Sequence, residues 1–265
     1  MKLFDCFMYN NEDLLLDLRL NVLDQYVDQF IIIESLFDHQ GNKKRLNFRL
    51  ENYSKFKKKI KYIVLHSFPK NLTTWQKENY NRNYITNGLG DAKPDDYIMI
   101  SDLDEIPKIE DKTIFGKKKY TVFTQKMFYY KFNLHNITEP NWMGTRVCKK
   151  KYLKSPQWIR NQKIKKYPVW RIKRYIQKFQ WNIIEDGGWH FSFVMSNMDI
   201  KKKIESFAHS EFNKSEFIDI LNIEKNINLR KDLFGRPFKF IKIKDEKQLP
   251  KHLLLNKKKY KNLLA

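Results

Sequence analysis

The sequence predicts an α/β fold whose sheet is at least partly parallel. Three observations predict it. Apolar runs at Leu3–Tyr9 and Phe30–Ile33 flank a leucine-rich stretch at the spacing of a strand–helix–strand unit, whose two strands must run parallel. Two further runs, Ile60–Leu65 and Tyr97–Ile100, are of strand length and rich in β-branched and aromatic residues. Acids follow directly on two of these runs, Glu34 on one and Asp102-Leu103-Asp104-Glu105 on the other. In open α/β sheets that carboxyl edge is where ligands bind.

The elements follow in order. Residues 1–9 form a first strand. Asn10-Asn11-Glu12 opens a helix reaching about Tyr26, with Leu14, Leu15, Leu18, Leu20 and Leu23 as its apolar face. Phe30–Ile33 is the second strand. Lys43–Lys59 is basic and at most helical, anchored by Phe48, Leu50, Tyr53 and Phe56, and Ile60–Leu65 is the third strand. Trp75 to Leu89 reads as a helix closed by Gly88 and Gly90. Tyr97–Ile100, bounded by Pro94 and Pro107, is a buried strand. Tyr120–Tyr130 is another strand. Asn141-Trp142 suggests a turn before a strand at Gly144–Val147. Residues 150–181 mix lysine and arginine with Trp158, Tyr167, Trp170, Tyr175 and Trp181, a composition that suits base stacking or a sugar site equally. Ile200–His209 is an amphipathic helix burying Ile204 and Phe207, and Ser215–Asn226 is a further helix. A loop at Asp232–Pro237 leads to a strand at Phe238–Ile243 and a lysine-rich tail over 247–265. There is no long linker or internal repeat, so one compact unit is predicted.

The chain has 265 residues and is 42% hydrophobic, enough for a substantial core in one large domain or two intimate halves. Its 52 basic against 30 acidic residues give a net charge of +22, which attracts polyanions: nucleic acid, anionic membrane or phosphorylated ligands. The lysines are scattered in triplets, among them Lys117–Lys119 and Lys201–Lys203, which is the pattern of solvated faces rather than one binding stripe. The two cysteines, Cys6 and Cys148, have no CxxC spacing, so neither a disulfide framework nor a zinc site is indicated. With no apolar run of about twenty residues and no signal-like segment, a soluble, cytoplasmic protein is expected, with peripheral contact to anionic membrane as its closest approach to a bilayer. The Asn-x-Ser/Thr triplets at Asn71, Asn136 and Asn213 are read as chance in an asparagine-rich chain.

Three stretches carry chemistry. On extended chain, alternation puts Asp102 and Asp104 on one side, and two adjacent carboxylates repel unless a cation lies between them or one is protonated. Oxygen ligands favour Mg²⁺ or Mn²⁺. The alternative is a solvated acidic turn. Glu34 reads either as an acceptor for a nucleotide ribose or base, or as a strand-end acid bonded to nearby amides. In Glu185-Asp186-Gly187-Gly188-Trp189-His190, the glycines permit close approach of backbone to a ligand. There His190 is either a metal ligand or a hydrogen-bonded structural residue, and Glu185 or Asp186 a candidate base. Arg82 is either a diphosphate contact or an exposed helix arginine.

The ordered set Phe4-Asp5-Cys6-Phe7, Asn11 to Leu15, Val27 to Glu34, Pro94-Asp95-Asp96 with Asp102-Leu103-Asp104-Glu105-Ile106-Pro107, Gly188-Trp189-His190-Phe191-Ser192, and Asp232 to Arg236 resembles glycosyltransferase family 17 along nearly the whole chain. The resemblance implies a GT-A-like fold: a mixed, mostly parallel sheet flanked by helices, with a Rossmann-like nucleotide-sugar half over 1–110 and an acceptor-side half over 111–265. It implies inverting transfer of a sugar, N-acetylglucosamine from UDP-GlcNAc, to a hydroxyl of a glycan or glycoconjugate. UDP-glucose or UDP-galactose is the alternative donor. Asp102, Asp104 and His190 match the ligands of Mn²⁺ or Mg²⁺, and Glu34, Arg82, Asp102 and Trp189 fall on the donor side. For the base, Asp186 is the first choice, with Glu211 and Glu105 in reserve. The competing expectation is a basic, non-enzymatic module for nucleic acid or anionic membrane; it leaves the gathering of acids at strand ends unexplained, and no specific nucleic acid is expected.

Overall fold

A computed structural model describes residues 1–164, 170, 179–206 and 215–265. Among these residues, eleven strands form one sheet. The first four are β1 (Leu3–Met8), β2 (Gln29–Ser35), β3 (Ile60–Leu65) and β4 (Tyr97–Ile100). They lie in the order β3-β2-β1-β4, all parallel. The chain builds outward from β1 to β3, then crosses back to place β4 on the other side of β1. The strand order therefore reverses between β1 and β4, the point at which an open α/β sheet leaves a crevice at its carboxyl edge.

Both faces of β1, β2 and β4 are buried, which is why these strands are nearly continuous apolar runs, interrupted by Asp5 in β1 and by Gln29, Glu34 and Ser35 in β2. Leu3, Phe7, Phe30, Ile32 and Met99 face one cluster; Phe4, Cys6, Ile31, Ile33, Ile98 and Ile100 face the other. Helix α1 (Asp13–Leu23) covers the first face with Leu15, Leu16, Leu18, Leu20 and Leu23. Leu14, expected in that face, is exposed, and Leu16 takes its place. The helix has no side-chain N-cap. Five buried leucines, each contributing about 1.5–3 kcal/mol, outweigh the roughly 1 kcal/mol a cap provides. Helix α2 (Thr74–Asn83) begins with a reciprocal Thr73–Gln76 capping box and continues as a 3₁₀ turn to Gly88 on the second face. Gly88 is required there, because a Cβ would lie 2.3 Å from the Ile31 Cγ2.

Beyond β4 the sheet becomes mixed. It contains β5 (Glu105–Pro107), β6 (Tyr120–Tyr129), β7 (Leu134–Asn136), β8 (Asn141–Lys149), β9 (Trp181–Ile184), β10 (Gly188–Ser192) and β11 (Phe240–Lys242). Antiparallel β4–β8 pairing carries the sheet from the first half of the chain into the second, and β6 is the hub that pairs β7, β8, β9 and β10. Asn141 and Trp142 belong to β8 rather than to a turn, because they pair with Lys126 and Gln125. Among the described residues the other α-helices are α3 (Pro156–Arg160), α4 (Asn197–Ser206), α5 (Ser215–Ile218), α6 (Ile220–Asn228), α7 (Lys251–Leu255) and α8 (Lys257–Tyr260). The lysine-rich tail is docked: Leu253 is buried and the Tyr260 hydroxyl donates to Asp17 on α1 at 2.8 Å. Tyr167, Tyr175, Phe207 and the stretch His209–Asn213 lie outside the described residues. No helix among the described residues is long and apolar enough to cross a membrane.

Candidate functional site

At the carboxyl edge between β1 and β4 lies a cavity of about 310 Å³. Its walls come from the segments after β1 (Tyr9, Asn10, Glu12), after β2 (Ser35, Phe37, Asp38, His39) and after β4 (Asp102–Glu105), together with α2 (Glu78, Arg82), β8 (Trp142), β10 (His190) and α4 (Lys203). Six carboxylates line it, on Glu12, Asp38, Glu78, Asp102, Asp104 and Glu105, against three cations on Lys44, Arg82 and Lys203. An acid excess inside a chain of net charge +22 focuses a negative potential, as a cation site requires and a polyanion groove does not.

The acidic segment is bent. The Glu105 amide donates to the Asp102 carbonyl at 3.1 Å, so the chain turns at Leu103, and Asp102 and Asp104 do not share one side of an extended strand. The cause is Arg19 on α1, fully buried and paired with Asp5 at 2.6 Å. Its Nη1 donates to the carbonyls of Asp102, Leu103 and Glu105 at 3.2, 3.2 and 2.7 Å, which curls the backbone around one guanidinium.

The turn separates the roles of its acids. Asp102 accepts from Arg82 at 3.0 Å and Arg160 at 2.9 Å. Burial raises its carboxyl, but Arg160 and Arg82 outweigh that and hold it far below the usual carboxylate range. Glu105 is fully buried and bound on both oxygens, by two Arg160 nitrogens at 2.7 Å each and by the Trp142 indole N–H at 2.6 Å. It is held as an anchor, with no oxygen free to act as a base. Asp104 is engaged least. Its oxygens stand 3.4 Å from the Lys203 Nζ and 3.7 Å from the His190 Nε2. Lys203 also faces Glu12 at 3.6 Å; burial lowers its pKa, but Asp104 and Glu12 raise it more, so it is firmly an ammonium.

The predicted metal set is therefore only partly assembled. Among the described residues no three His, Cys, Asp or Glu side chains converge as a metal cage. Asp102 is taken by arginines, whereas the Asp104 carboxylate has no polar partner closer than 3.4 Å and the His190 Nδ1 is buried with no hydrogen-bond partner, both among the described residues. One loosely held carboxylate and one imidazole suit a hard ion that keeps water and substrate oxygens for its other positions.

Arg82 lies in the cleft, held by Glu78 at 2.7 Å, by Asp102 and by Gln157. Three other expected residues lie outside it. Glu34 is fully buried and bound by Lys44, the Asn47 and Phe48 amides and the Tyr62 hydroxyl at 2.8–3.1 Å, which leaves no oxygen for a nucleotide. Trp189 alternates to the opposite face of β10 from His190, where its indole donates to the Gln248 carbonyl at 2.7 Å. Asp186 is exposed, paired with Lys126 at 3.0 Å, and lines the same separate cavity as Trp189. Gly188 makes room for protein rather than ligand: with φ +126°, its missing Cβ would lie 2.3 Å from the Ile106 carbonyl oxygen across the β5–β10 pair. Glu211 lies outside the described residues.

Sequence reasoning missed Arg160, Lys203, Trp142 and Glu12. Lys203 belongs to a triplet read as a solvated face, yet it lies one turn from the buried Ile200 on the same helix side, and that spacing was the available signal. Arg160 has no local signal; α3 is fixed by its Ser155 cap and Pro156, and only the tertiary fold brings it under Glu105.

A family model described as glycosyltransferase family 17 matches residues 1–265. Over 228 residues, 77% of this chain, the sequence is 27% identical to the human β-1,4-mannosyl-glycoprotein 4-β-N-acetylglucosaminyltransferase and 26% identical to the mouse protein of that name. Those matches cover 42% of each relative, so the chain spans less than half the length of the curated relatives it matches.

Proposed function

The chain belongs to glycosyltransferase family 17, and from that premise we propose that it transfers a sugar, N-acetylglucosamine from UDP-GlcNAc, to a hydroxyl of a glycan or glycoconjugate with inversion. The observation that carries this reading is the acid-rich cleft at the β1/β4 strand-order reversal, where Asp104 and His190 stand beside Arg82 and Lys203. Asp104 and His190 are the residues that would hold Mn²⁺ or Mg²⁺. Such an ion, when bound, supplies positive charge to the departing diphosphate.

The chain's own residues do the rest. Arg82 and Lys203 bring fixed positive charge to the diphosphate side, where it costs no reorganisation as the leaving group forms. Asp102, tied between Arg82 and Arg160, keeps those guanidiniums aimed. Burial keeps His39 neutral at physiological pH, so it does not add to that charge. For the base we propose Glu12. Its Oε2 accepts the Asn10 and Asn11 amides at 3.2 and 3.1 Å, while its Oε1 is no closer than 3.6 Å to Lys203. Glu12 also lines an adjoining cavity of about 620 Å³, from which an acceptor hydroxyl can reach it and give up its proton.

A thermal-shift panel of nucleotides and sugar nucleotides with Mn²⁺ tests the reading. UDP and UDP-GlcNAc are expected to raise Tm, and adenine nucleotides are not. If no nucleotide shifts Tm while polyanions bind with steep salt dependence, the chain is a basic binding module instead.

A further inference from the structure

Building on the nucleotide-sugar reading, we propose that Trp142 is the platform on which the pyranose ring of the donor lies, so that the end of the cleft formed by Trp142 and His190 is its sugar subsite. The sheet order says which end is which. The segment after β2 and helix α2 bound the cavity on one side of β1, and β8 bounds it on the other, with the acidic turn after β4 between them. A nucleotide sugar whose diphosphate lies at that turn must extend its nucleoside one way and its sugar the other.

Trp142 is built for such a contact. The residue is 38% exposed and lines the cavity, a costly place for so large an apolar side chain if nothing covers it. The ring is fixed on two sides. Its N–H donates at 2.6 Å to the wholly buried Glu105, which Arg160 clamps in turn, and it packs against His190 with centroids 5.1 Å apart and planes 35° apart. A rigid indole with an open face suits the C–H face of a pyranose, whose weakly positive hydrogens meet the negative face of the π system. Because the ring is already ordered, binding costs it little side-chain entropy.

The test compares UDP with UDP-GlcNAc on wild type and Trp142→Ala by calorimetry with Mn²⁺. Trp142→Ala is expected to weaken UDP-GlcNAc by about tenfold, the scale of one lost stacked ring, and to leave UDP within about twofold. Bound UDP-GlcNAc should show upfield-shifted pyranose protons in the wild type that return to their free positions in the variant. Retained UDP binding is the folding control; if Trp142→Ala loses it, Trp142→Leu, which fills the same space without a π face, is read in the same way. An unchanged ratio of the two affinities, with UDP still bound, overturns the platform and leaves the nucleotide-sugar reading standing. Failure of wild type to bind either ligand overturns that reading itself.

Discussion

Arg160 and Glu105 meet as two flat groups, with two guanidinium nitrogens each 2.7 Å from a carboxylate oxygen. Glu105 is fully buried, so the pair is a structural commitment: one charge cannot be removed without stranding the other in a low-dielectric interior. Arg160→Ala is expected to cost about 3–5 kcal/mol in urea unfolding, and Arg160→Met combined with Glu105→Gln to recover much of it. A loss below 1 kcal/mol in the single variant would show that Glu105 is not dependent on its partner.

Metal affinity should separate the two aspartates. Asp104→Asn and His190→Ala are expected to weaken Mn²⁺ binding, read by electron paramagnetic resonance, by about tenfold or more. Asp102→Asn should have a smaller effect on Mn²⁺, because both Asp102 oxygens are held by arginines. Equal losses in all three would return Asp102 to the ligand set.

Removing the proposed proton acceptor should lower turnover and spare binding. Glu12→Gln is expected to reduce kcat by about 100-fold or more with the Kd for UDP unchanged, while Asp186→Asn stays close to wild type. The reverse result would assign the base to the Lys126-paired Asp186.

Gly188→Ala should damage the site from a distance. The φ of +126° alone costs about 1–3 kcal/mol with a side chain, and the Cβ would collide with the Ile106 carbonyl and the Lys108 amide. A lowered Tm together with a weaker Mn²⁺ site is expected, since His190 pairs with Glu105 in the same ladder. An unchanged Tm would contradict the close approach.

Acid should weaken the fold through Asp96. Burial raises its carboxyl, but the Lys2 and Lys93 amides, each donating at 2.8 Å, win and lower it. A depressed folded-state pKa contributes stability that is present above the unfolded value of about 3.9 and is lost as pH falls through the folded value. Between pH 5 and about 3, wild type should therefore lose more unfolding free energy than Asp96→Asn. Parallel curves would remove Asp96 from the acid response.

The parallel half of the sheet was legible because local pattern and burial agree there. Nearly continuous apolar runs such as Phe30–Ile33 and Tyr97–Ile100 are covered on both faces, and the spacing of Leu3–Tyr9, the leucine helix and Phe30–Ile33 is that of a parallel strand–helix–strand unit. Asp102 and Asp104 stood out because they follow the β4 strand end, Arg82 because it sits on a helix at that edge, and His190 because it follows two glycines; all four line the cleft. Glu34 and Trp189 show where such reasoning stops: a place in the chain gives position, not direction, and their side chains turn to Tyr62 and Gln248. Arg19 and Arg160 were invisible because each acts on backbone or carboxylate more than fifty residues away in sequence.

The bond from Arg19 to the acidic turn makes α1 a lever with a short arm. Three carbonyls of the turn hang from one side chain of that helix, and the Glu12 carboxylate stands at the helix's own entrance. A shift of α1 along its bed would therefore move the acidic turn and the Glu12 carboxylate together, preserving their spacing while retuning the walls around them. Redesign of the cleft for another ligand should accordingly leave the leucine face of α1 alone and vary the β2–β3 segment and the mouth of β8, which border the cleft without carrying its frame.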